Sequence, residues 1–113
     1  MAVLTTTLPD NIGLVEAKGS LLGGKEIDEL RSAIDTFVSQ GISKLILDVS
    51  GVVYVNSAAV GVLVSGLISY SRRNWQIRLC GANKVVYTIL RITKLNLAFE
   101  YYDTREEAIR SFT

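Results

Sequence analysis

Between Asp48 and Arg72 the chain runs for 23 residues without a charged side chain, and one polar pair, Asn56-Ser57, divides that run. A stretch of this length could cross a bilayer, which takes about 20 mostly apolar residues. Its composition points elsewhere. Ser50, Gly51, Asn56, Ser57, Ser65, Gly66, Ser69 and Ser71 interrupt it, whereas a lipid-facing helix is apolar all round. The period of its apolar residues also changes partway. Val52-Val53-Tyr54-Val55 is β-branched and aromatic, while Val60, Leu63, Val64, Leu67 and Ile68 recur as one helical stripe. The run therefore reads as a buried strand that turns at Asn56-Ser57 into a half-buried helix, and no membrane insertion is expected.

The 113 residues suffice for one domain with a single core, and 1–113 is read as that domain. Twelve basic side chains balance 11 acidic ones, so no direct nucleic-acid partner is expected. Cys80 is the only cysteine. That excludes an internal disulfide and a thiolate zinc site within the chain, and it suits a reducing cytoplasm. Met1 to Leu8 lacks the basic flank and apolar length of a signal peptide, which agrees with a cytoplasmic location. With no histidine in the sequence, Ser-His-Asp and Cys-His catalysis and His-ligated metal sites are excluded in their standard forms. No pair of carboxylates stands at a strand end, so neither an enzyme nor a cofactor is expected.

Along the chain, Val3–Leu8 reads as an edge strand, Pro9-Asp10-Asn11 as a turn, and Ile12–Lys18 as the second arm of a hairpin. Gly19 to Gly24 reads as a glycine-bearing loop. From Lys25 a helix follows with Ile27, Leu30, Ile34, Phe37 and Val38 on one face, closed by Gly41. Leu45–Val49 has the compact apolar character of a strand inside a parallel sheet. A helix from about Ser57 to Arg72 and a strand at Gln76–Cys80 come next. Asn83 then caps a helix bearing Val85, Val86, Ile89 and Leu90. Phe99–Tyr102 is a last short strand. A capping box, Asp103 with Glu106 or Thr104 with Glu107, opens a terminal helix to Phe112. The alternation predicts an α/β fold: a hairpin, then repeated βα units forming a mostly parallel sheet of four or five strands with about four helices.

The strand-to-helix junction at Asn56-Ser57 is the leading functional candidate. Ligands and partners of open α/β sheets meet the C-terminal ends of the strands. A hydroxyl there lies beside unpaired backbone N–H groups and the positive end of the helix dipole. A phosphate on Ser57 would bring roughly −1.5 to −2 charges, which a helix N-terminus accommodates. The alternative is that Asn56 or Ser57 is simply the N-cap. Elsewhere, Gly19 to Gly24 matches no phosphate-binding pattern, Cys80 reads as an inert core thiol, and Arg72-Arg73 reads as a solvated helix end.

The segment Leu45 to Leu63 resembles the signature of STAS domains, especially bacterial anti-sigma factor antagonists. Asp48-Val49-Ser50 matches the family's strand end, and Asn56-Ser57-Ala58-Ala59-Val60-Gly61 stands where its Asp-Ser-Ser/Ala-Gly motif opens a helix. The resemblance extends over nearly the whole chain. It implies a partner-switching module that binds an anti-sigma factor, itself a serine kinase, and is released when Ser57 is phosphorylated. It also implies a contact surface of Asn56, Ser57, Ala58 and Val60 with Leu22, Gly23 and Gly24 of the neighbouring loop. Asn56 stands in place of the usual Asp and Ala58-Ala59 in place of Ser/Ala-Gly, and Gly19 to Gly24 has no acidic residue. The alternative within the same family is a scaffold or regulatory subunit that is never phosphorylated, in a stress-sensing complex or a transporter or lipid-transport assembly.

Overall fold

Strand β3 (Lys44–Val55) runs through the middle of the sheet, and its sequence determines what lies on each face. In the computed structural model, which describes residues 3–21 and 23–113, Leu45, Leu47 and Val49 enter one core and Ile46 enters another. That is the two-residue period of a strand buried on both sides. Strands β1 (Val3–Leu8) and β2 (Ile12–Leu21) form the expected hairpin, with Val3 opposite Ala17 and Leu8 opposite Ile12. Their link, Pro9–Asn11, is a 3-10 turn in which Asp10 and Asn11 have φ of 67° and 57°. Short polar side chains tolerate that left-handed region best after glycine.

From β2 onward all pairing is parallel, through β3, β4 (Gln76–Cys80) and β5 (Glu100–Tyr102), in the order β1-β2-β3-β4-β5. The described residues thus form a single α/β domain with a mixed, mostly parallel five-stranded sheet. Its five α-helices are α1 (Gly24–Ser39), α2 (Ser57–Arg72), α3 (Lys84–Ile92), α4 (Leu95–Ala98) and α5 (Arg105–Arg110). None of them is long and apolar enough to cross a membrane.

Helix α1 buries Ile27, Leu30, Ile34 and Phe37. At its end Gly41 has φ 72°, its N–H donates to the Val38 carbonyl, and the Ile42 N–H donates to the Phe37 carbonyl. This pair of bonds is the left-handed glycine stop that the sequence predicts. Helices α1, α2 and α3 cover the larger core. Helix α5 covers the smaller one, where Ala108 meets Ile12, Leu14, Ile46 and Cys80. Burial pushes the Cys80 thiol up to about 12, so it is the inert core thiol expected.

Four expectations need correction. Helix α2 buries Ala59, Val62, Leu63, Gly66 and Tyr70, while Val60, Val64 and Leu67 are half-buried and Ile68 is exposed. The small residues select the buried face, because they permit close approach: a Cβ on Gly66 would lie 3.3 Å from the Ile34 Cδ1. Secondly, most of Gly19 to Gly24 is not a loop. Strand β2 continues to Leu21, pairing Lys18 with Gly51 and Leu21 with Val55, with register shifts between Glu16 and Lys18 and again between Gly19, at φ 81°, and Ser20. Thirdly, α4 went unpredicted, since four residues are too few to display a helical period. Finally, α5 stops at Arg110, before Phe112.

The outcome is a two-stranded ribbon, β2 and β3, that outruns its neighbours. Pairing with β1 ends at Ala17 and pairing with β4 ends at Asp48, whereas β2 and β3 stay joined to Leu21 and Val55. Helix α2 begins just past the tip of this ribbon.

Candidate docking site at the start of helix α2

At the tip, the Asn56 N–H donates to the Leu21 carbonyl at 3.3 Å. Its backbone is still extended (φ −97°, ψ −178°), and its side-chain Oδ1 accepts from the Ala59 N–H at 2.9 Å. Asn56 is therefore the N-cap, and Ser57 is the first helical residue. Ser57 and Ala58 are exposed, Ala59 is fully buried and Val60 is half-buried. With Asn56 capping, the exposed Ser57 stands at the positive end of a 16-residue helix.

The other expected contact residues divide. Leu22 lies outside the described residues. Gly23 and Gly24 are exposed at the N-cap and first turn of α1. The bond from Asn56 to Leu21 brings that turn to the same end of the sheet as Ser57.

A cavity of about 250 Å³ opens beside Ser57, lined by Tyr54, Val55, Asn56, Val60, Ile89 and Thr93. Ile89 of α3 and Thr93, the C-cap of that helix, were missed as site residues. Asn83 caps α3 by accepting from the Val86 N–H at 2.8 Å, and its Nδ2 donates to the Val52 carbonyl at 3.0 Å. One side chain thus starts α3 and fastens it to the ribbon. The signal was present in the sequence: Val85, Ile89 and Ile92 make a second apolar stripe beside Val86 and Leu90, which alone are buried.

Asp48 and Ser50, the other half of the strand-end signature, serve a different end. Asp48 is buried, its Oδ1 accepts from the Ser50 N–H at 2.9 Å, and its Oδ2 accepts from the Arg105 Nε at 2.7 Å. Arg105 also pairs with Glu16. Burial pushes the Asp48 carboxyl up, but hydrogen bonds from the Ser50 N–H and hydroxyl, together with Arg105, outweigh it and hold the group below the usual carboxylate value. This cluster anchors α5, whose N-cap is Thr104, accepting from the Glu107 N–H at 3.2 Å. Of the two predicted capping pairs, Thr104 with Glu107 is the one formed. No group of three or more His, Cys, Asp or Glu among the described residues is placed to hold a metal ion.

The model of the STAS domain family matches residues 4–108. The chain belongs to the STAS domain family. A protein of Thermotoga neapolitana, provisionally named an anti-sigma factor antagonist, is 35% identical over 75 residues, which is 66% of this chain and 66% of that one, just under two thirds of each. Among solved structures, an anti-sigma factor antagonist (so named provisionally) from Thermotoga maritima superposes with a TM-score of 0.87 at 24% identity, covering 96% of this STAS domain and 92% of the other chain. The Bacillus cell fate determinant SpoIIAA in its phosphorylated form gives a TM-score of 0.80 at 17% identity, covering 99% and 100%. At these identities the structures establish a shared fold, that of the anti-sigma factor antagonists.

Proposed function

We propose that this STAS domain is a partner-switching anti-sigma factor antagonist. In this reading it docks an anti-sigma factor, itself a serine kinase, with the N-terminal turn of α2, and phosphorylation of Ser57 releases it. One observation carries the reading: Asn56 takes the capping role, so the exposed Ser57 hydroxyl has no structural duty at the helix start. A phosphate there would be accepted by the helix end without unfolding the domain. The same dianion would burden a mostly apolar contact with desolvation and repulsion. Asn56, Ala58 and Val60, with the Gly23-Gly24 turn, supply the surrounding contact surface, and no catalytic step by this chain is required.

Phosphopeptide mapping after incubation with ATP and the kinase tests the assignment, with phosphate expected on Ser57. Phosphate on a different serine while Ser57 stays bare refutes it. Ser57→Asp should weaken the complex by about tenfold or more, or about 1.4 kcal/mol. Unchanged affinity, with no phosphate acquired, leaves the unmodified scaffold as the better reading, which the neutral Asn56 already favours over an acidic residue.

A further inference from the structure

The balanced net charge conceals a sharp segregation. All 11 acidic residues lie before position 49 or after position 99, so the stretch from Val49 to Phe99 carries basic side chains only. That stretch includes α2, α3 and α4. On α3 and the residue after its cap, Lys84, Arg91 and Lys94 are all exposed. Beside them Val85 and Ile92 are 52% and 74% exposed, and with Ile89 they form a stripe at i, i+4 and i+7. Ile89 also lines the cavity at Ser57 with Tyr54, itself 43% exposed. Single exposed apolar residues are ordinary. A stripe continuous with a cavity at the proposed acceptor serine marks a contact face.

On the other flank of the site, Glu26, Asp28 and Glu29 outnumber the one cation, Lys25, in the first turns of α1 ahead of Arg31. The end of the molecule is therefore polarised, acidic over α1 and basic over α3. We infer that α3 forms the second half of the docking face, and that the partner lays over it an apolar ridge bordered by carboxylates. This inference rests on the proposed function and specifies the chemistry of its partner. It also gives the switch a local electrostatic cause. Phosphate on Ser57 neutralises the basic half of the face and repels the partner's carboxylates, so its effect is strongest toward α3.

Calorimetric titration of the anti-sigma factor kinase against the full chain tests this, using wild type, Ile92→Ser, the double variant Lys84→Glu/Lys94→Glu, and Ser57→Asp. The side chains changed on α3 and just beyond its cap are exposed, so folding should persist, with circular dichroism as the check. Ile92→Ser should weaken binding about tenfold, and the charge-reversed variant should weaken it and flatten its salt dependence. Wild-type affinity in both α3 variants, with Ser57→Asp impaired, overturns the inference and leaves the proposed function intact. If the kinase does not bind wild type, the proposed function falls and a second experiment decides for α3: p-benzoylphenylalanine in place of Ile92, photolysed in source-cell lysate. An adduct on an apolar, carboxylate-rich protein segment, lost in the Lys84→Glu/Lys94→Glu background, supports the inference. An adduct to lipid, to a segment without carboxylates, or to nothing overturns it.

Discussion

The Arg105 Nε lies 2.7 Å from the Asp48 Oδ2, joining the last helix to the central strand. Removing the guanidinium leaves a buried carboxylate short of a partner, so Arg105→Ala should cost about 1–3 kcal/mol. The check is a thermal melt, in which each kcal/mol is worth roughly 4–8 °C for a domain near this size. A variant melting with wild type would show that Ser50 alone satisfies Asp48.

The same carboxylate predicts an acid limb. Asp48 is held below its ordinary value in the folded state, so the unfolded chain binds its proton first as pH falls. Its stabilising contribution is present above the unfolded value of about 3.9 and is lost as pH drops through the lower folded value. Urea unfolding from pH 7 to pH 3 should show wild-type stability falling below about pH 4. Asp48→Asn should be less stable at neutral pH and show a shallower fall. An equally steep fall in that variant would assign the limb to other carboxylates.

Asn56 holds the start of α2 through a single-atom acceptor, which ranks its substitutions. Asn56→Ala should lose about 1 kcal/mol with the cap to Ala59. Asn56→Asp keeps an acceptor and adds a negative charge at the positive end of the helix dipole, so it should lose less than the alanine variant. Chemical denaturation of the three proteins at pH 7 gives the order directly. Alanine equal to asparagine would remove the cap from the account of the site.

Asn83 is expected to be costlier than a simple cap, since it also bonds the Val52 carbonyl. Asn83→Ala should lose about 2 kcal/mol, combining a cap with a hydrogen bond to a half-buried carbonyl. Amide exchange should rise in α3 before it rises in β3. Uniform acceleration across the sheet would mean that α3 is held by its core residues instead.

Gly81 follows β4 at φ 83°, and a Cβ there would lie 2.9 Å from the Ser50 Cβ and 3.2 Å from the Asp48 Oδ1. Gly81→Ala should therefore cost about 1–2 kcal/mol from backbone strain alone, and more from displacing Ser50. Its excess cost should shrink in an Asp48→Asn/Ser50→Gly background, measurable as a double-mutant coupling. Strict additivity would confine the penalty to the backbone.

Much of this fold could be read directly from residues. Helix boundaries at Ser57 and Arg72, the strand at Gln76–Cys80, the Gly41 stop and the Asn83 cap all follow from local chemistry. What escaped depends on partners distant in sequence. Gly19 and Ser20 look like loop residues, yet β3 extends far enough to pair with them. The buried face of α2 is set by how closely Gly66 approaches Ile34 of α1 and Ile77 of β4, which a hydrophobic count does not weigh. At the site, Ser57 and its neighbours belong to one continuous segment and were legible. Ile89 and Thr93 reach the same cavity only through the tertiary placement of α3, and no spacing rule connects them to position 57.

The β2–β3 ribbon places position 57 beyond the ends of the pairing with β1 and β4, like a fingertip past the palm. Chemistry performed there need not travel through the globule to be felt. Modified and unmodified molecules should melt together and differ only in the company they keep, so the signal is carried by a surface and the architecture beneath it is free to stay the same.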